Sequence, residues 1–423
     1  MRILFLTSRM PYPPVGGDRF RVFHMMRAAA EAGHAVHLLS FDTHRREPEA
    51  HLPLLASIQS VETVPLPRAL SWLRAARALP GRFPLQAAYY RSRRMSARVD
   101  AAIRRLRPHV VVTHLFRMAP YALPHVGQGG PGRARWVLDM TDVISAGIER
   151  SMPFRRGAER WIYGFEGPRI RDYEAEVAPR FDECWVISQA EARYLARIAP
   201  AATTRVVPNG MGPEVLRNGE NGGNANSGNA TVERERARLL FLGFHDVFHN
   251  KDAVRFLVNE VFPRVRAEEP EATLMIAGKG SDAVRAWAQR VPGVKVLGFV
   301  DDPDAVLARS TVFVAPHRFA AGVQNKVLQA LASGTPVVTT SAVRAGLDPM
   351  PEGALRVADD AAGIARHIVA ILRDPAAAAS LGSLGRGWAR SRFSWDASVL
   401  ALEAARHAGE FREAEVPAAA LPI

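Results

Sequence analysis

The sequence predicts an α/β protein made of two Rossmann-like, doubly wound parallel-sheet domains in tandem. Three observations predict it. The 423 residues exceed what one ordinary core organises. Short apolar runs alternate with amphipathic stretches throughout both halves. A polar, Gly/Asn-rich segment, "RNGENGGNANSGNAT" (217–231), separates those halves, and it carries too little apolar surface to pack. The expected boundaries are 1–208 for the first domain, 209–236 for a flexible linker, 237–392 for the second domain and 393–423 for a last helix and tail.

The strands follow in order. In the first half they are "RILFLTS", "AVHLLSF", "HVVVTH", "RWVLDM", "ECWVIS" and a closing "TRVVPN"; in the second, "RLLFLGF", "ATLMIAG", "VKVLGFV", "VFVAPH" and "TPVVTT". Each is continuously apolar over about four to six residues, as strands covered on both faces are. Helical patterns lie between them, such as "RVFHMMRAAAEAG", stopped by Gly33, and "AVRFLVNEVFPRVRAEEP". Two such domains are expected to face a central cleft at the carboxyl ends of their strands, where doubly wound folds bind ligands.

Composition narrows the class. A formal charge of +13 favours an anionic partner: nucleic acid, a phosphate-bearing ligand or a membrane surface. No run of the roughly 18–20 apolar residues needed to span a bilayer occurs. The first residues run straight into a strand pattern with no leader expected. A single cysteine, Cys184, sits in the apolar "DECWVIS"; it excludes an internal disulfide, fits a reducing cytoplasm and reads as a buried, inert thiol.

Several helix mouths carry ligand-binding chemistry. Gly16 and Gly17 in "PPVGGDRFR" permit close backbone approach at a helix start, although a plain tight turn uses the same glycines. "GFHDVFHNKDAV" sets His249 and Lys251 before one helix, and "GVQNKVLQALASG" sets Gly322, Asn325 and Lys326 before another. Two lysines at helix starts in one domain suit a phosphate. "LMIAGKGSDAVRAW", with Gly278 and Gly280, imitates a dinucleotide fingerprint. It opens the domain's second strand rather than its first and brings no hydride-transfer residue, so a loop serving another nucleotide is the preferred reading.

Taken with "LFLTSRMPYPPVGGDRFR", "VVPNGM" and "KVLQALASGTPVV", these features resemble the GT-B glycosyltransferases of family 4. Within that family, "LDMTDVISAGIERS", "HNKDAVRFLVNEVFPRVR" and "GVQNKVLQALA" resemble the exosortase-associated sugar transferases of bacterial exopolysaccharide loci. The likeness covers nearly the whole chain outside the Asn-rich segment. It implies a retaining, metal-independent transfer from a nucleotide-sugar donor, held mainly by the second domain, to a lipid-linked glycan acceptor. No cofactor is implied, and no nucleic acid.

Carried over residue by residue, the resemblance makes Lys326 and Asn325 stabilisers of the leaving diphosphate and puts His114 near the donor sugar. Gly16, Gly17, Gly243, His249, Lys251, Gly278, Phe299, Val300, Gly322, Val323 and Gln329 are expected to border the donor. The family's E-x7-E glutamates fall on Ala321 and Gln329, neither a carboxylate; Gln329 retains an amide oxygen for a ribose hydroxyl. On the acceptor side stand Asp18, Arg21, Asp139 and Asp142. Asp142 reads equally well as a helix N-cap, and His114 as a hydrogen-bonded structural histidine. No metal site is expected, "VDD" (300–302) being the nearest thing to an Asp-x-Asp motif.

The stretch from Arg68 to Arg107 holds eleven arginines and one acid, Asp100, interleaved with Trp72, Phe83, Tyr89 and Tyr90. Such a surface suits the anionic inner leaflet of the cell membrane, where a lipid-linked acceptor is presented. The protein is accordingly expected at the cytoplasmic face of that membrane. Two alternatives stay open: a nucleotide-sugar epimerase of the same fold, and a degenerate GT-B protein acting as a nucleotide- or glycan-binding subunit.

Overall fold

A computed structural model describes residues 1–14, 16–42, 56–127, 133–211, 234–280, 282–320 and 322–407. Ala321 and the whole Asn-rich segment (217–231) lie outside the described residues. The chain forms two compact units: Met1–Gly210 with Trp395–Ile423, and Met211–Ser394.

The first unit contains seven parallel strands: β1 (Arg2–Thr7), β2 (Ala35–Asp42), β3 (Ser60–Pro65), β4 (Val110–His114), β5 (Arg135–Thr141), β6 (Glu183–Val186) and β7 (Thr204–Val206). Their order across the sheet is β3-β2-β1-β4-β5-β6-β7. Alternation along a strand sends Leu4 and Leu6 into one core and Ile3 and Phe5 into another, so both faces are covered. The helix Gly17–Glu31 packs on the second of these faces. So does the last helix, Asp396–His407, through Ala401, Leu402 and Ala405. Trp395 stacks on His24 with centroids 5.4 Å apart. Cys184 is fully buried, its thiol donates to the Ala178 carbonyl, and burial pushes its pKa up to about 12.

The second unit repeats the plan with six parallel strands: β8 (Arg238–Leu242), β9 (Thr273–Ala277), β10 (Val294–Gly298), β11 (Val312–Ala315), β12 (Val337–Thr339) and β13 (Arg356–Val357). Their order is β10-β9-β8-β11-β12-β13. In each sheet the strand order reverses beside the first strand, between β1 and β4 and between β8 and β11. The crevice at such a reversal, past the carboxyl ends of the strands, is where this fold takes ligands.

Two helix starts differ from expectation by a residue or more. The helix after β8 begins at Phe248, so His249 and Lys251 lie inside its first turns rather than ahead of it; the Val247 carbonyl already accepts from the amides of Asn250 and Lys251. That helix runs on as a π-turn, Leu257–Val261, just before Pro263, whose ring and missing N–H oppose a regular α-helix there. Asn325 and Lys326 likewise open the helix Asn325–Ala332 from within.

Candidate functional site

At the β1/β4 crevice of the first unit, Ser8, Arg9, Pro11, Asp18, Arg19, Val22 and His114 line a small open pocket with about 10 Å³ of enclosed space, room for about one water. β4 delivers His114 at its last residue. The ring Nδ1 lies 2.9 Å from Asp139 Oδ2, and Asp139 in turn takes two hydrogen bonds from Arg21 Nε and one from its Nη2, at 2.8–3.1 Å. Arg21 Nη1 continues to the Val207 carbonyl and Asn209 Oδ1, both at 2.9 Å. Burial alone would raise the Asp139 carboxyl, but the Arg21 guanidinium and the His114 imidazole outweigh it and hold it well below the usual carboxylate range.

Arg21 and Asp139 are both 0% exposed. Neither touches an acceptor from there, and their work is to fix the tautomer and direction of His114. The carboxylate claims the Nδ1 proton and leaves Nε2, buried and without a partner, on the pocket side. The backbone around this locus is strained: Leu115 (φ 66°, ψ 150°), just after β4, and Thr141 (φ 59°), the last residue of β5, take conformations side chains rarely adopt. Gly16 has φ 100° and, with Gly17, is exposed beside the pocket.

Asp142 does not cap the next helix. The helix Ile144–Ser151 has Val143 at its N-cap, and its first amides are taken by carboxylates from two other helices. Val143 N–H donates to Glu191 Oε2 at 2.8 Å, and Ile144 N–H to Glu174 Oε1 at 2.9 Å. Burial beside Glu191 raises the Asp142 carboxyl, and its Oδ1 has no partner. Sequence reading gave no hint of Glu174 or Glu191, which sit on helices distant in the chain.

In the second unit Gly243 follows β8, His249 lies on the helix after it, and Gly322, Val323, Asn325 and Lys326 follow β11, the neighbouring strand. Asn250 Nδ2 donates to the Phe244 carbonyl, and Asn250 Oδ1 pairs with His317 Nε2, both at 2.9 Å. His317 is buried, which lowers its pKa to about 3, with His249 adding to the effect; the two rings are 5.7 Å apart. Lys326 is exposed, and its ammonium donates to Gln329 Oε1 at 3.0 Å. The protein around it lowers its pKa through desolvation, opposed by Asp304. The Gln329 amide nitrogen donates to the Asp304 carboxylate. A carboxylate absent at position 329 thus stands beside it, contributed by the helix Pro303–Ala308.

Gly278 has a packing reason of its own: a Cβ there would lie 1.7 Å from the Gly243 carbonyl oxygen. The glycines of "AGKGSD" therefore let the loops after β9 and β8 touch, and no dinucleotide is needed to explain them. Phe299 is two-thirds exposed at the end of β10, followed by Val300, and Lys251 is exposed on its helix.

Residues 16–210 match the glycosyl transferase 4-like domain, and residues 236–374 match the glycosyl transferases group 1. The chain belongs to the group 1, family 4-like glycosyltransferases of GT-B fold. It is 32% identical over 120 residues to a phosphatidyl-myo-inositol mannosyltransferase of Propionibacterium freudenreichii. It is 29% identical over 149 residues to a GDP-mannose-dependent monoacylated alpha-(1-6)-phosphatidylinositol monomannoside mannosyltransferase of Corynebacterium glutamicum. These matches span 28% and 32% of this chain and only 29% and 39% of those relatives. Among solved structures, sucrose-phosphate synthase of Thermosynechococcus elongatus superposes with a TM-score of 0.69 at 17% identity, over 98% of this chain and 100% of that one. Anabaena HepE in complex with UDP gives 0.62 at 15%, over 96% and 99%. At these identities the likeness is one of fold.

Proposed function

We propose that this protein transfers a glycosyl group from a nucleotide-sugar to a lipid-linked acceptor at the inner face of the cell membrane, with retention of configuration. In this reading it extends an exopolysaccharide precursor, as an exosortase-associated member of its family. One observation carries the proposal: Lys326, an accessible cation at a helix start in the β8/β11 crevice, held by Gln329 and Asp304. Negative charge accumulates on the leaving diphosphate as the glycosidic bond breaks, and a fixed ammonium beside helix-terminal amides stabilises that charge. Asn325 shares the helix start. The acceptor oxygen attacks the face the diphosphate leaves, so no protein nucleophile is required.

The first unit holds the acceptor in this reading, with His114 near the donor sugar. Support for a lipid acceptor comes from the names of the two mannosyltransferase relatives, and for a nucleotide from HepE with UDP. An exposed surface of the first unit adds to it. Leu70, Trp72, Leu73 and Leu79 stand out in water near the arginine-rich stretch, with Trp161, Ile162 and Phe165 on the helix Gly157–Val177. Arg169 of that helix bonds the carbonyls of Leu79 and Gly81, tying the two segments together. Of the aromatics expected as anchors only Trp72 is exposed. Tyr90 is in the core, and Phe83 and Tyr89 pack against it. Among the described residues no single helix is long and apolar enough to cross a bilayer.

Calorimetric titration of UDP, GDP and ADP tests the proposal. One of them binds, and Lys326→Ala weakens it by about 1.5–3 kcal/mol, the range for a hydrogen bond to a charged group. Turnover survives EDTA. If none binds, the missing glutamate at 329 has cost the site its ligand and the binding-subunit reading replaces this one; donor hydrolysis without acceptor, absent in a pure binder, separates them further.

A further inference from the structure

We propose that Asn250 and His317 are a positioning pair for the donor: together they hold the loop after β8, residues 243–247, in the shape that binds the nucleotide-sugar. This deepens the transferase reading and rests on it. The loop runs from β8 into the helix Phe248–Phe256. Asn250, in the first turn of that helix and 8% exposed, reaches back across the loop, and its Nδ2 donates to the Phe244 carbonyl at 2.9 Å. The same carbonyl takes the Val247 amide at 3.2 Å, so one oxygen closes the turn. With Nδ2 spent there, Asn250 Oδ1 faces His317 Nε2 at 2.9 Å and must accept. The single proton of this neutral, buried imidazole is thereby placed on Nε2.

His317 is itself fixed. It lies just past β11, its carbonyl accepts from Thr340 Oγ1 at 2.5 Å just past β12, and its ring packs on Phe241 of β8 with centroids 5.8 Å apart. One polar chain, Phe244–Asn250–His317–Thr340, thus crosses the carboxyl ends of three adjacent strands, β8, β11 and β12. On its other side the loop is tied to β9 and the turn after it. Gly243 N–H donates to the Ala277 carbonyl at 3.1 Å, and His245 N–H to the Lys279 carbonyl at 2.9 Å. A Cβ on Gly243 would lie 2.9 Å from the Phe241 ring and 3.1 Å from the Asn250 amide carbon, so the loop backbone runs directly against the pair. The loop and its helix carry Gly243, His249 and Lys251, three of the residues expected to border the donor. Two apolar side chains would fill the space of Asn250 and His317 without the cost of burying polar groups. What the polar pair adds is one fixed loop conformation.

The test uses the full chain and reads two quantities, with thermal melts alongside. One is affinity for whichever of UDP, GDP and ADP binds best, by calorimetry; the other is hydrogen exchange at the Gly243, His245 and Val247 amides. His317→Leu fills the space without a donor, and His317→Gln restores an N–H. Asn250→Leu with His317→Leu removes both partners, so that neither is left buried and unsatisfied. In His317→Leu and in the double variant, exchange at the three amides rises and affinity falls about tenfold, the effect of losing one well-placed hydrogen bond. His317→Gln stays within about twofold of wild type in both readouts. A double variant that melts like wild type and binds the nucleotide as tightly overturns the proposal. So does His317→Gln binding as weakly as His317→Leu, or faster loop exchange with affinity unchanged. If no form binds a nucleotide while exchange still follows residue 317, the pair is confirmed as holding the loop and the transferase reading falls instead.

Discussion

His114 and Asp139 are joined edge to carboxylate at 2.9 Å at the ends of two adjacent strands, and a fully buried Arg21 holds the same carboxylate from the other side. Removing the charge and leaving the shape separates structure from chemistry. Asp139→Asn strands the Arg21 cation in the core and lowers unfolding free energy by about 3–5 kcal/mol, read from urea midpoints. His114→Ala leaves that ion pair intact, melts close to wild type and loses turnover. Equal melting of Asp139→Asn and wild type would refute the buried network.

Asp304 supplies a carboxylate next to Gln329, so restoring glutamate at 329 places two acids in contact. Gln329→Glu alone weakens nucleotide binding at neutral pH, and adding Asp304→Asn recovers it. A double-mutant cycle by calorimetry should show coupling on the order of 1–2 kcal/mol. Additive effects would mean the two side chains act separately.

Glu174 is buried, and desolvation raises its pKa from 4.5 to about 7 even though Ser145 and the Ile144 amide donate to it. The folded state therefore binds a proton that the unfolded chain has released between those values. Its contribution is complete below about pH 4.5 and is lost as pH rises through about 7, on the order of 3 kcal/mol in all. Glu174→Gln keeps an acceptor oxygen and removes the titration. Denaturant midpoints from pH 5 to 8 should fall more steeply in wild type than in the variant, and parallel curves would contradict the assignment.

Trp161 is 83% exposed and Ile162 61%, with no packing to lose. Trp161→Ser with Ile162→Ser should leave the melting temperature unchanged. It should cut partitioning to anionic vesicles about tenfold, the equivalent of ~1.4 kcal/mol of apolar burial. Co-sedimentation measures it; equal binding by variant and wild type, or indifference to anionic lipid, would count against the membrane surface.

What could be read in advance tracks how strongly burial marks the sequence. Eleven strands announce themselves as apolar runs because both faces of a parallel sheet are covered. β3, "SVETVP", and β13, "RV", do not, and both are edge strands with little buried surface. The lysines and glycines at helix mouths were visible as local motifs. The buried Arg21 was misread as acceptor-facing because arginine is rarely fully buried unless paired. Its partner lies 118 residues away.

By itself the sequence determined the two doubly wound sheets and the motifs at their helix starts, because strand periodicity and helix-start signals are written within a few residues; the family showed through the resemblance of those motifs. Only the tertiary structure decided which side chains act together. The Arg21–Asp139–His114 chain, Asp304 behind Gln329, Glu174 and Glu191 on a foreign helix start, and the last helix packed on the first unit all join residues far apart in sequence. Their charges are set by burial and by neighbours that no local pattern records.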